Sequence, residues 1–314
     1  MRYFRTYPWG MQLALFLLMS FTFMSSIGAI TMSLFPKLTG FQVAQLSSVT
    51  TASPRALVNA LVNVQGIQNL FVFLLPAITF AYLAHPRPTA YLGLRKPGKT
   101  IHILLSLLLM AGAMPLLLVI QGLMQSIDFG TAVKKSHEAQ QQMSQAIMNM
   151  PTTADFMRTF LVMAIVPAFG EELFFRGVLM RFVKKRTMNM VTPILFTAAV
   201  FSFSHANVYG YISIFFAGVL LAVIYYLTNS IWCGIAGHLF FNGFQIVLSY
   251  MGHNNATIRA FVESDTVPFI YAGIGAVVFA LALYLLLKNR TPLAPDWAED
   301  YTAAERSAMQ HEKS

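Results

Sequence analysis

Two adjacent carboxylates, Glu171 and Glu172, stand just ahead of Arg176 inside the apolar run from Phe160 to Met180. A run of that length reads as a membrane-spanning helix. Ionised groups near a bilayer centre cost about 2.5–3.5 kcal/mol each even on mild insertion scales, so they mark either a functional site or a paired structural group. Glu172 and Arg176 are four apart, share one helix face and can pair. That pair is explained as well by helix packing as by chemistry. Glu171 points away from it and has no partner in its own helix. One carboxylate neutralises Arg176, and a second beside it is costly unless another group uses it.

Two later apolar segments carry their own polar residues: His205, one turn after Phe201, and the pair His238 and Asn242. A lone histidine at a helix end is more often interfacial than catalytic, and Phe201 is most simply packing. His238 and Asn242 are harder to dismiss, because two polar side chains on one helix face in lipid need a common polar partner. The residues support two chemistries. A carboxylate in a dry site suits a general base; a histidine can share or relay its proton; a second histidine and an asparagine can stabilise an oxyanion. Alternatively, Glu171, His205 and His238 supply three ligands for a catalytic zinc with one position left for water. Other proteolytic patterns fit worse. There is no His-Glu-x-x-His, no aspartate pair within the spans, and no Gly-x-Ser-x-Gly around Ser202 or Ser204. Cys233 lies off the His238 face and reads as packing.

The elements that must position these groups follow from composition. The chain has 314 residues, 56% hydrophobic and 11% charged, against about 25% charge in soluble domains. The deficit predicts an all-α, polytopic transmembrane bundle of about eight helices around an intramembrane polar cavity. The expected spans are 11–35, 67–85, 101–124, 158–182, 191–206, 210–229, 231–251 and 267–288. Residues 1–154 are read as N-terminal helices and an extracytoplasmic loop, 155–250 as the core, 251–290 as the last helix and 291–314 as a cytoplasmic tail. The net charge of +9 points to a membrane surface rather than nucleic acid, because the basic residues sit in short loops. Arg2 and Arg5, the 87–99 loop, the 181–186 loop, and Lys288 with Arg290 all fall on one side if both termini are cytoplasmic. Met143, Ile147 and Met150 recur at helical spacing, which predicts an amphipathic helix on the outer membrane face or, alternatively, a lid. Residues 36–66 carry no clear assignment. A single cysteine excludes an intrachain disulfide framework.

The ordered set Glu-Glu-x-x-x-Arg, Phe-x-x-x-His and His-x-x-x-Asn on successive spans resembles the CPBP family, the CAAX prenyl proteases and bacteriocin-processing enzymes also called Abi. The resemblance covers about 155–250. It implies an intramembrane endopeptidase on an eight-helix bundle, acting on a peptide or membrane-protein substrate in lipid. It further implies that Glu171 and His205 activate water, that His238 and Asn242 hold the oxyanion, and that Glu172 and Arg176 shape the site. Zn2+ and metal-free routes are both proposed for the family. A bacterial cytoplasmic membrane is the expected location. The competing readings are a non-catalytic scaffold or bacteriocin-immunity protein on the same fold, and a proton-coupled carrier. The carrier would more naturally show an inverted repeat, and none is visible.

Overall fold

The computed structural model describes residues 3–262, 268–301 and 305–308. Arg2, Val267 at the start of the last expected span, and residues 302–304 and 309–314 of the expected tail lie outside the described residues. Among those described the chain is helical, with no strand. Helix α1 is Trp9–Thr39, α2 is Arg55–Ala84 and α3 is Ile101–Gln125. Helix α4 is Thr131–Met148, and α5 runs unbroken over residues 153–184. They are followed by α6 (Val191–Ser204), α7 (Val208–Thr228), α8 (Ile231–His253), α9 (Ala256–Val262) and α10 (Phe269–Lys288).

Six helices, α1, α2, α3, α7, α8 and α10, are long and apolar enough to cross a membrane. The other two expected spans exist as helices but differ in kind. Helix α6 has 14 residues, about 21 Å of rise, short of a hydrocarbon core of about 30 Å. Helix α5 is long, but Asp155, Arg158, Glu171, Glu172, Arg176, Arg181 and Lys184 lower its hydropathy. The two helices that fall outside the count are therefore the ones carrying Glu171, Glu172, Arg176 and His205. The second span begins earlier than position 67. Its first turns hold Arg55, Asn59 and Asn63, which hide it from a hydropathy window, while Leu57, Val58, Leu61 and Val62 form its buried face. That face packs against Ala146 and Ile147 of α4, so the amphipathic helix is docked on α2.

Prolines set the local geometry of the two helices that meet at the centre. Proline has no N–H and its ring clashes with the carbonyl four residues earlier. In α2 a π-helical turn, Leu70–Leu74, precedes Pro76. In α5 a π turn, Leu161–Ile165, precedes Pro167. The widened turn accommodates the ring without ending the helix. A third π segment, Glu172–Leu179, starts at the carboxylate pair itself.

Glycines set how closely α10 approaches α3. A Cβ at Gly112 would meet the backbone nitrogen of Phe279, and one at Gly275 would meet the ring of Pro115. Small residues allow such approach in lipid, where packing rather than the hydrophobic effect drives helix association. Gly112→Ala is expected to cost about 1–3 kcal/mol by overpacking. The measurement is the unfolding midpoint in detergent, and an unchanged midpoint would refute the close α3–α10 contact.

One end of the bundle gathers the charged loops. Arg181 is buried between the rings of Tyr91 and Trp297, at 4.4 and 4.8 Å from their centroids. It donates to both of their backbone carbonyls. Lys185 pairs with Asp300 and Arg5 with Glu305. The N-terminus, the 87–99 loop, the end of α5 and the tail are thus drawn together.

At the other end, Thr152 caps α5 by accepting from the Asp155 amide at 3.1 Å. The Asp155 carboxylate accepts from the Thr152 hydroxyl at 2.7 Å. It also pairs with Arg55 of α2 and with Arg158, each at 3.2 Å. Burial pushes the Asp155 carboxyl up, but hydrogen bonds from Thr152, Arg55 and Asn59 and the Arg55 charge outweigh it and hold the group below its ordinary value. Hydrogen bonds to a charged group contribute about 1.5–3 kcal/mol. The stabilisation of wild type over Asp155→Asn should be complete above the unfolded value of about 3.9 and disappear as pH falls through the lower folded value. Unfolding of both proteins between pH 7 and pH 3 measures it, and a constant difference would contradict the assignment.

Candidate active site

The carboxylate pair sits where α5 changes from α to π geometry. Adjacent residues of a regular helix diverge by about 100°, yet both carboxylates approach His238 of α8. Glu172 Oε1 accepts from Arg176 at 2.8 Å and faces His238 Nδ1 at 3.1 Å. Glu171 Oε2 is 3.9 Å from His238 Nε2. Gly234 makes room, since a Cβ there would come within 2.9 Å of Glu172 Oε2. Arg176 turns away from the cavity. It donates to the Gly218 carbonyl of α7 at 2.9 Å and lies 4.8 Å from the centroid of Phe201. Glu172 and Arg176 are fully buried. Two partners on Glu172 and three on Arg176 make this a cross-link between α5, α6, α7 and α8.

Glu171 is used differently. It is buried, and Asn69 of α2 donates to its Oε1 at 3.0 Å. Its Oε2 has no hydrogen-bond partner among the described residues and lies 3.9 Å from His238 Nε2. The Glu171 side chain lines a cavity of about 330 Å³ whose polar wall includes Gln65, Asn69, His205, Asn242 and Gln245. A second cavity of about 200 Å³, walled mainly by apolar residues such as Met110, Leu117 and Phe241, shares His205, Asn242 and Gln245 with the first. His205 and Asn242 therefore stand between a polar and an apolar space.

The backbone fixes the histidine tautomers. His205 Nδ1 is 2.8 Å from the Phe201 carbonyl, which only accepts, so Nδ1 carries the proton and a neutral ring leaves Nε2 as an acceptor. Phe201 is thus more than packing. Its carbonyl aims His205, and its ring touches His205, Phe175 and Arg176. Ala206 follows at φ 49°, in the left-handed region that a Cβ disfavours. Gln140 of α4 donates to the Ala206 carbonyl at 3.1 Å, tying the amphipathic helix to the His205 turn. Asn242 Nδ2 donates to the Met163 carbonyl at 3.3 Å, the carbonyl that Pro167, four residues on, cannot serve. Among the described residues the second amide hydrogen of Asn242 has no acceptor.

All six residues expected from the sequence lie around this centre, with Arg176 behind the cavity wall rather than on it. Sequence reasoning missed Asn69, Gln65 and Gln245. The signal was present as amides at i, i+4 spacing in an apolar helix, but position 65 fell before the expected start of that span. The possible metal ligands gather less well. Glu171 and His238 face each other, while His205 is held by Phe201. Among the described residues no three His, Cys, Asp or Glu side chains converge as a metal-binding group.

Residues 153–244 match the family model described as "Rce1-like: Type II CAAX prenyl endopeptidase Rce1-like". This segment, which contains Glu171, Glu172, Arg176, His205, His238 and Asn242, is of the CPBP/CAAX intramembrane protease type. With six helices able to span a bilayer, the chain is an integral membrane protein with a CAAX-protease-like core. No curated protein and no solved structure matches the chain.

Proposed function

We propose that this protein is an intramembrane endopeptidase that hydrolyses a peptide bond with water activated by Glu171 and His205. One observation carries the reading. Of two adjacent carboxylates, Glu172 is committed through Oε1 to Arg176 and His238, whereas Glu171 lines the cavity and is held there by Asn69. A carboxylate on the wall of a polar cavity is placed to serve as a general base.

In this reading Glu171 takes a proton from water while His205 Nε2 accepts its second hydrogen and orients it. The water oxygen bonds to the scissile carbonyl carbon, and the carbonyl electron pair moves to oxygen. The free Asn242 hydrogen and His238 Nε2 donate to that oxyanion. Because His238 Nδ1 is committed to Glu172, donation from Nε2 uses the doubly protonated ring. Collapse breaks the C–N bond, and the proton on Glu171 passes to the leaving amine. A bound zinc would supply a Lewis acid, but Glu171, His205 and His238 do not converge on one point, and no step is routed through it. The substrate is a peptide or membrane-protein segment reached within lipid. Both termini are cytoplasmic, a reading supported by the basic loops meeting at one end.

The test is cleavage of a panel of membrane-proximal fluorogenic peptides in detergent, with and without chelator, beside bound zinc. Cleavage that persists in chelator is expected. Stoichiometric zinc lost together with activity would overturn the metal-free route. No cleavage by folded protein would favour a scaffold or immunity role on this fold.

A further inference from the structure

The second cavity, of about 200 Å³, adjoins the centre on the side away from Glu171. His205, His238 and Asn242 line it, and most of its remaining wall comes from α3 and α7 with Phe241 of α8. Leu117 of α3, Ala217 of α7 and Phe241 pack against one another. Leu117 and Ala217 keep 5% and 8% of their surface open, and Phe241 is half-buried. Among the described residues that line this cavity, only the two histidines are ionisable. A lysine ammonium entering it would find no carboxylate on the wall, and an unpaired buried charge is costly.

Size narrows the occupant. An apolar cavity of about 150 Å³ lined by Leu, Ile and Phe stays dry and takes a guest the size of benzene. A space of about 200 Å³ therefore has room for one Leu, Met or Phe side chain. A long isoprenoid chain calls for the larger class of pocket, about 300–1,000 Å³, that takes drug-sized ligands. Leu118, Gln121 and Gln245 line both this cavity and a larger one of about 490 Å³ between α3, α8 and α10, and so stand between the two. We propose that the smaller cavity is a specificity pocket for one medium-sized apolar side chain, Leu, Met or Phe, next to the scissile bond. Leu117 and Ala217 set its size. The polar cavity holds the water and Glu171, the apolar one holds the flanking side chain, and the scissile carbonyl lies between them at His205 and Asn242. Leu117 lies outside the matched segment 153–244. The assignment rests on the endopeptidase reading and deepens it: the substrate class is a peptide read by an unmodified apolar side chain at the cleavage site.

Leu117→Ala and Ala217→Leu change the pocket in opposite directions, and the test reads binding as well as turnover. Fluorescein-labelled peptides carry a ketomethylene group at the central bond, which keeps the carbonyl and cannot be hydrolysed. The residue on each side of that bond is varied in turn through Ala, Leu, Phe, Trp and Lys, and one further peptide carries S-prenylcysteine. Each is titrated into wild type and both variants in detergent. At one of the two positions wild type should bind the Leu or Phe peptide about tenfold or more tighter than the Ala or Lys peptide, the discrimination that an apolar pocket makes. Ala217→Leu should move the preference towards Ala, and Leu117→Ala should move it towards Trp, each by about tenfold. A folding defect weakens all peptides alike, so the ratios within each protein decide, and either variant suffices if the other does not fold. Ratios that are the same in all three proteins would overturn the pocket. So would no binding of any peptide to folded wild type, or tighter binding of the S-prenylcysteine peptide than of the Leu peptide. The expected ratios without cleavage of the matching amide peptides would leave the pocket standing and count against the protease reading alone.

Discussion

Glu171→Gln is expected to abolish cleavage while leaving the fold intact. General-base catalysis contributes about 10²–10⁴-fold, and here the same residue also delivers the proton to the leaving amine, so kcat should fall by about 10³-fold or more. Stability should not fall. The glutamine carbonyl still accepts from Asn69 Nδ2, and exchanging a buried ionised group for a neutral amide of the same shape relieves desolvation. Rates on the fluorogenic panel, set beside the unfolding midpoint, check both halves. A variant that cleaves within tenfold of wild type would remove Glu171 from the base role. A variant that fails to fold would make Glu171 a structural residue.

Arg176→Met should be the most destabilising single change at the site, by about 3–5 kcal/mol. It leaves the fully buried Glu172 carboxylate with His238 as its remaining partner. It also removes the donor to the Gly218 carbonyl and the cation above the Phe201 ring. The ion pair in itself need not be stabilising, since its desolvation offsets its attraction. The double variant Glu172→Gln/Arg176→Met should therefore recover a large part of the loss, giving strong non-additivity in a double-mutant cycle. Unfolding titrations of wild type, both single variants and the double variant measure it. Additive effects would mean that Glu172 and Arg176 act separately. The double variant carries further information. If it folds but cleaves poorly, Glu172 acts on His238 and not only as the counter-ion of Arg176.

Much of the centre was legible in the chain because it is local. The 3.6-residue period alone places Arg176 over Glu172, and His238 on the same face as Asn242. The failure of Arg176 to need two carboxylates singles out Glu171. The scarcity of charge and the runs of apolar residues dictate a helical membrane protein. The basic loops belong together by sign, and contacts from Arg181, Lys185 and Arg5 hold them at one end.

Other features arise from relations that no local window contains. The Asn69–Glu171 hydrogen bond spans 102 residues of chain, and nothing near Asn69 shows what it will meet. Hydropathy hid the start of α2, because Arg55 and Asn59 are tolerated where they meet α4 and α5. It also suggested spans at α5 and α6, where buried ion pairs and a short helix make the count by length and apolarity six. The π turns are hydrogen-bond registers, so a proline announces a disturbance but not its form. The sequence by itself determined the helical class of the fold and which polar residues stand inside its apolar segments, because those depend on composition and helical period. Tertiary structure alone decided which carboxylate is tied to Arg176 and His238 and which lines the cavity beside Asn69, because that depends on Arg176, His238 and Asn69 arriving from three helices at distances only the packed bundle sets.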